Sequence, residues 1–169
     1  MLCQETLLEK SSEKIYAHLT GKVEKGTFLK NRLKFQLNKR LESDTFWVGD
    51  MPLCKVLLMN VANFPWIILV PKVSDKSEIF ELNQSDLEKY HTETNYLLEA
   101  MSELYKADKM NIASLGNLVP QLHTHIIVRY KKDDAWPNPV WSYPDMISYE
   151  TNTHQMEIDK IKKLVDDYD

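Results

Sequence analysis

Cysteine is scarce in this chain. There are two in 169 residues, Cys3 and Cys54, far apart and outside any Cys-x-x-Cys pair. A disulfide framework is thereby excluded, and a reducing compartment fits better. Positive charge is not in excess either. The net charge of −4 argues against a nucleic-acid binder that works by bulk electrostatics, although a local basic pocket for one phosphate stays open. No run approaches the roughly 20 apolar residues of a membrane span. The opening "MLCQETLLEK" lacks the basic-then-apolar order of a secretory signal. Internal repeats, low-complexity tracts and convincing linkers are also missing. These absences lead us to expect a cytoplasmic protein that engages neither membrane nor nucleic acid. What is there is ordinary for a globular chain: 43% hydrophobic and 27% charged residues, enough for one domain with a real core.

Periodicity supplies the elements. Leu7, Leu8, Ile15, Tyr16 and Leu19 are loosely helical in spacing over 2–20, with Gly21 as a stop. The basic, mixed stretch 22–44 supports no assignment. "TFWV" reads as a short strand, and Gly49-Asp50 as a turn. "CKVLLMN" (54–60) and "WIILVPK" (66–72) are short and rich in branched residues, so both are expected strands, the second ending at Pro71. Cys54 then reads as a small buried thiol. Ser85, with Glu88 three residues on, has the form of a capping box. Leu87, Tyr90, Thr94, Leu97, Leu98, Met101, Leu104 and Tyr105 continue it as one face of a helix over 86–107. "MNIASLGN" (110–117) is a strand running into a loop, and "QLHTHIIVRY" (121–130) is the strand after it. Pro137 and Pro139 keep 131–141 irregular. A last amphipathic helix is expected near 154–167, with Ile158, Ile161, Leu164 and Val165 on one face.

Strands joined by short turns suggest antiparallel pairing, so the fold class is α+β. The expected organisation is an N-terminal helical extension over 1–30, a domain over 31–145, and a helical segment over 146–169 packed on it. The strand carrying the histidines is expected to be central.

That strand poses the functional question. Side chains alternate faces along a strand, so Gln121, His123, His125, Ile127 and Arg129 share one side, and Leu122, Thr124, Ile126 and Val128 the other. A Gln-His-His row opposite an apolar face is either a solvated surface or a site. Three chemistries use such histidines. Metal ligation is poorly supported, because His18, His91 and His154 have no short spacing to the pair. General acid–base work suits an imidazole near neutral pH. Nucleophilic attack on phosphorus needs one imidazole in the right tautomer and a nearby donor for the phosphate oxygens. The loop "SLGNLVP" before the strand can offer backbone amides around Gly116, and Asn117, to the same phosphate. Trp66, Trp136 and Trp141 either stack on a base or pack the sheet edge and the proline-rich loop, with packing the simpler expectation. Arg129, Lys72 and Asn111 either meet phosphate or are solvated strand ends.

At this point the residues carry a resemblance. "LGNLVPQLHTHIIVR" resembles the signature of the histidine triad (HIT) family. More widely, 35–141 is similar to a bacterial branch of that superfamily through three blocks in order: "LLMNVANFPWIILVPK", "LGNLVPQLHTH" and "WPNPVW". The resemblance implies a HIT-like fold: a compact domain with an antiparallel sheet of about five strands and a long helix packed on it. It implies a homodimer whose sheets meet edge to edge. It also implies hydrolysis or transfer of a nucleotidyl group, by attack on the α-phosphate of a nucleotide through a phospho-histidine intermediate. His123 takes the position of the nucleophile and His125 that of the phosphate contact. Gln121 stands where the first triad histidine orients the nucleophile, in part through its backbone carbonyl. No resident cofactor or metal site is implied, although a divalent metal can accompany the nucleotide. Leu118 falls where many members carry a polar residue that assists the leaving group. Val61 stands where the branch often has aspartate, which leaves Asn60 as the nearby candidate for ribose. Together with Asn117 and Gly116, Asn60 makes up the expected nucleotide-binding set. The alternative reading is a HIT-fold protein that binds a nucleotide, or mediates an interaction, without turnover.

Overall fold

The computed structural model describes residues 35–168. The expected extension over 1–30, and residues 22–34 of the unassigned stretch, lie outside the described residues. The described end of that stretch runs without regular structure over 35–38 into a short helix, α1 (Lys39–Asp44). It starts where the Asn38 side chain accepts a hydrogen bond from the Arg40 amide at 2.9 Å, satisfying a donor that the first turn leaves free.

Three strands follow: β1 (Thr45–Asp50), β2 (Cys54–Met59) and β3 (Trp66–Pro71). Pro71 does close β3. Gly49 and Asp50 are not a turn but the end of β1, with an irregularity in register between Trp47 and Gly49. Glycine fits there for a packing reason: a Cβ on Gly49 would stand 3.0 Å from Cγ1 of Val165. The chain reverses at 51–53 instead, where Met51 N donates to Cys54 O at 2.8 Å. The buried carboxylate of Glu93 accepts from the amides of Leu53 (2.6 Å) and Cys54 (2.8 Å), fastening the start of β2 to the long helix.

That helix, α2, spans Gln84–Tyr105. Its cap is Asn83, not Ser85. The Asn83 side chain accepts from Asp86 N at 3.0 Å and donates to the Asp86 carboxylate at 2.8 Å, so the cap lies two residues upstream of the expected one and is not a reciprocal box. Ser85 lies inside the first turn. Lys106, at φ 52°, turns left-handed and stops the helix. Strands β4 (Lys109–Ala113) and β5 (Thr124–Arg129) come next, and α3 (Thr153–Asp166) closes the described chain against β1. No helix among the described residues is long and apolar enough to cross a membrane.

The sheet is antiparallel and five-stranded, in the order β1-β2-β3-β5-β4. The histidine strand is therefore fourth, and β3 is central. The outer place beyond β5 is taken by β4, which pairs with it from Lys109↔Arg129 to Ala113↔His125. β5 is also shorter than 121–129, because Gln121, Leu122 and His123 precede the ladder.

Both faces of the sheet are covered. One core gathers Leu122, Ile126 and Val128 with Leu97, Met101, Ile161 and Val165 under α2 and α3. A second gathers Trp66, Ile68, Val70 and Ile127 with Leu41, Phe64, Val119 and Val140. The histidine face is thus no solvated surface. This second core also buries Arg129, only 1% exposed. Its guanidinium forms a fork with Asp133, Nε to Oδ2 at 2.7 Å and Nη2 to Oδ1 at 2.9 Å, while Nη1 donates to Asn111 at 2.9 Å. The rings of Phe64 and Trp136 each lie 5.8 Å from it. Arg129 and Asn111 are therefore neither phosphate ligands nor solvated ends. Lys72 likewise donates to Met51 O at 2.7 Å. Truncating one member of a buried ion pair strands the other, at a typical cost of about 3–5 kcal/mol. Asp133→Ala should lower the unfolding free energy by about that much in urea titrations, and the double variant Arg129→Met/Asp133→Ala, which strands no charge, by clearly less. Equal losses in the two variants would show that the stranded charge is not what matters.

Candidate active site

The two imidazoles meet at the mouth of β5. Their ring centroids are 4.9 Å apart on one side of the sheet, and both side chains are buried, at 6% and 8% exposure. They line a cavity of about 530 Å³. Its walls come from α1 (Arg40, Leu41, Asp44), from the sheet (Thr45, Met59, Trp66, Ile68), from the loop 115–119, and from Trp141.

Hydrogen bonding assigns each ring a tautomer. Nδ1 of His123 lies 2.7 Å from the backbone carbonyl of Gln121. A carbonyl only accepts, so Nδ1 carries the proton and, in the neutral ring, Nε2 keeps its lone pair. Nδ1 of His125 lies 3.1 Å from the indole Nε1 of Trp66. An indole N–H only donates, so here Nδ1 is the bare nitrogen and Nε2 carries the proton. One cavity is therefore lined by an imidazole with a free lone pair and one with a free N–H. Burial, reinforced by the neighbouring His123, pushes the His125 imidazolium pKa down to about 4. At neutral pH this ring is an uncharged donor.

The other expected residues divide. Gly116 and Asn117 line the cavity. Gly116 sits at φ +68°, a left-handed conformation that glycine adopts without cost and that folds the loop over the site. The Gln121 side chain faces away from this chemistry. Its Oε1 accepts from Asn38 N at 2.9 Å and its Nε2 donates to Gln36 O at 3.0 Å, so it clamps the strand that leads into α1. Asn60 is not among the lining residues. Its Oδ1 accepts from Tyr149 N at 3.0 Å and pins the C-terminal segment, because the strand end it occupies faces that segment. Val61 is buried in the second core.

Sequence reading missed two charged members of the site and left the part played by two aromatic ones open. Arg40 and Asp44 lie on a helix too short to show a period, and they pair with each other at 3.4 Å. Trp66 packs in the second core, as expected, and is in addition the donor to His125. Trp141 packs edge-on to Trp66 (5.7 Å) and to His125 (5.6 Å), and its half-exposed ring closes one wall. Trp136 stays with Arg129. Among the described residues, no three His, Cys, Asp or Glu side chains stand close enough to hold a metal ion.

A five-stranded antiparallel domain with paired imidazoles where one strand begins defines a class, and comparison with known proteins identifies it. The HIT domain model matches residues 40–132. A histidine triad protein from Marinobacter aquaeolei VT8 is 46% identical, with a TM-score of 0.76 over 78% of this chain and 96% of its own. One from Bradyrhizobium japonicum is 42% identical, with a TM-score of 0.74 over 78% and 98%. The Plasmodium falciparum diadenosine triphosphate hydrolase, 20% identical with a TM-score of 0.52 over 79% and 81%, shares the fold. Among curated proteins no match is found. The chain belongs to the HIT family.

The depressed His125 pKa has a consequence for stability. The unfolded ring takes up a proton below its ordinary 6.5, whereas the folded ring resists until about 4. Unfolding therefore binds a proton in that window, and stability falls as pH drops through it. The full loss, reached below pH ~4, is about 3 kcal/mol. His125→Gln should flatten this part of the pH–stability curve in denaturant titrations. An unchanged slope between pH 6.5 and 4 would refute the assignment.

Proposed function

We propose that this cavity hydrolyses or transfers nucleotidyl groups, with His123 as the nucleophile. The observation that carries the reading is the opposite tautomerism of the two imidazoles in one cavity. Nε2 of His123 attacks the α-phosphorus of a nucleotide. The N–P bond forms as the bond to the leaving oxygen breaks, and the leaving group takes the electron pair. His123 keeps its Nδ1 proton, so the phosphorylated ring is cationic, and the Gln121 carbonyl faces that developing charge. Nε2–H of His125 donates to a non-bridging phosphate oxygen. Water then displaces the imidazole, releasing the nucleoside monophosphate and a proton; in transfer, another acceptor takes the place of water. Gly116 and Asn117, which line the cavity, are the groups we assign to the remaining phosphate oxygens, and the Arg40–Asp44 pair stands at the rim.

The site also favours one leaving group. Among the described lining residues, the ionisable side chains are Arg40, Asp44, His123 and His125. His123 spends its lone pair on phosphorus, and His125 is uncharged at neutral pH. No imidazolium stands ready to protonate a departing amine, and the nearby Leu115 and Leu118 are apolar. Substrates whose leaving group departs as a stable anion, such as dinucleoside polyphosphates, fit better than nucleoside phosphoramidates. A panel of both, with products read by chromatography, should show the phosphoramidates slower by roughly the 10²–10⁴-fold that a positioned general acid supplies. In the same assay His123→Ala should abolish turnover of every substrate while calorimetry still detects nucleotide binding. Retained hydrolysis in the purified variant would refute the nucleophile. Binding without any turnover by the wild type would favour the alternative, a nucleotide-binding protein.

We also propose that the working unit is a homodimer. β4 pairs on one side only among the described residues, and it carries the half-exposed Ile112, an edge suited to a second sheet. Sedimentation at micromolar concentration should give twice the chain mass, and Ile112→Lys should shift it toward the monomer. A monomer in the wild type would overturn this.

A further inference from the structure

We infer that Trp66 is a positioning residue for the site: its indole N–H holds His125 in the one tautomer that offers Nε2–H to a bound phosphate. The inference rests on the functional reading above only for what the N–H is used on; the lock itself is a property of the fold.

The geometry leaves the imidazole no choice. Trp66 is 3% exposed, and its Nε1 has His125 Nδ1 as acceptor at 3.1 Å. A neutral histidine in water exchanges its proton between the two nitrogens. Were the proton to move to Nδ1 here, two N–H groups would face each other in a buried place, and the indole would lose its acceptor. An unpaired buried donor is costly. Only the Nε2–H form satisfies both rings. The backbone fixes the partners as well. Trp66 pairs with Ile127, and Ile68 with His125, so the indole reaches diagonally across the β3–β5 ladder on the same face. Trp141, edge-on to both rings, limits their rotation from the open side. His123 is held independently by the Gln121 carbonyl. The two catalytic tautomers therefore have separate locks, one a main-chain acceptor and one a side-chain donor, and only the second can be removed by substitution.

The test is spectroscopic. Long-range proton–nitrogen spectra at neutral pH should show His123 with Nδ1–H and a bare Nε2, and His125 with a bare Nδ1 and Nε2–H. A nitrogen–nitrogen coupling across the hydrogen bond should join Trp66 Nε1 to His125 Nδ1. Trp66→Phe keeps a ring but removes the donor. In this variant His125 should become a mixture of tautomers, while His123 keeps its own and so reports that the site is still folded. Trp141→Phe, which removes no hydrogen bond to His125, should leave both tautomers unchanged. Adenosine 5′-monophosphate should bind Trp66→Phe more weakly by the reciprocal of the remaining Nε2–H fraction, roughly twofold for an even mixture. A wild-type His125 that carries Nδ1–H, or lacks the coupling, overturns the inference without need of any variant. So does a Trp66→Phe protein in which His125 stays wholly in the Nε2–H form. If the tautomers and coupling are as stated but the wild type neither binds nor cleaves nucleotides, the lock stands and the functional reading fails.

Discussion

The register between β3 and β5 is the constraint on which the site depends. Four pairs, from Trp66↔Ile127 to Leu69↔Thr124, set which side chains share a face. Because the side-chain period is two, a slip by one residue would carry His125 to the face under α2 and bring Thr124 toward the cavity. The present register is held from both sides. Tyr90 of α2 hydrogen-bonds Thr124 on one face, and Trp66 hydrogen-bonds His125 on the other. Each bond pairs a buried polar group that would otherwise be unsatisfied, so the polar contacts select the same register as the apolar ones.

Burying both imidazoles decides what kind of electrostatics the cavity can use. At His125 a charged ring would have to give up its hydration, so burial holds that imidazole uncharged over the physiological range. Inside the cavity the polar groups are then oriented dipoles, and the Arg40–Asp44 ion pair stays at the rim where water still reaches it. This is a coherent arrangement. A neutral N–H aimed from a poorly hydrated wall interacts strongly with a developing oxyanion and needs no reorganisation as the charge forms. A permanently charged group in the same place would have cost the fold stability.

Much of the domain was legible because its elements have strong periods. The branched runs of β2 and β3 and the three-and-four spacing of α2 each admit one assignment, and a His-x-His pair on a strand announces a shared face. What escaped reading depended on partners far along the chain. Arg129 looked like a solvated strand end because nothing local says that Asp133 and Asn111 close around it in a second core. Asn60 was a ribose candidate only through the resemblance, as the polar neighbour of Val61. Its side chain was claimed instead by the amide of Tyr149, brought back to the β2 end by the C-terminal segment. The roles of Gly49 and Asp50 were misjudged for a similar reason. Glycine followed by aspartate is good turn chemistry, yet at that place the glycine serves the close approach of Val165. Trp66 could be seen, but its function required the register, since a diagonal contact across two strands leaves no mark in either strand alone.

The glutamine in the first triad position makes sense on these terms. Its contribution to His123 is a backbone carbonyl, which any residue supplies. The side chain is thereby free for a second task, and glutamine suits that task better than histidine would. A primary amide carries an acceptor and a donor on one terminal group, close enough together to bond the amide of Asn38 and the carbonyl of Gln36 as a neighbouring strand would. A neutral imidazole also has one donor and one acceptor, but they point away from opposite sides of the ring and cannot both meet one short extended segment. That segment leads directly into α1, which brings Arg40 and Asp44 to the cavity. One residue thus couples the orientation of the lone-pair imidazole to the placement of the charged rim, through its main chain on one side and its side chain on the other. Gln121 is a departure from the triad in name, while in the structure it joins two walls of the same site.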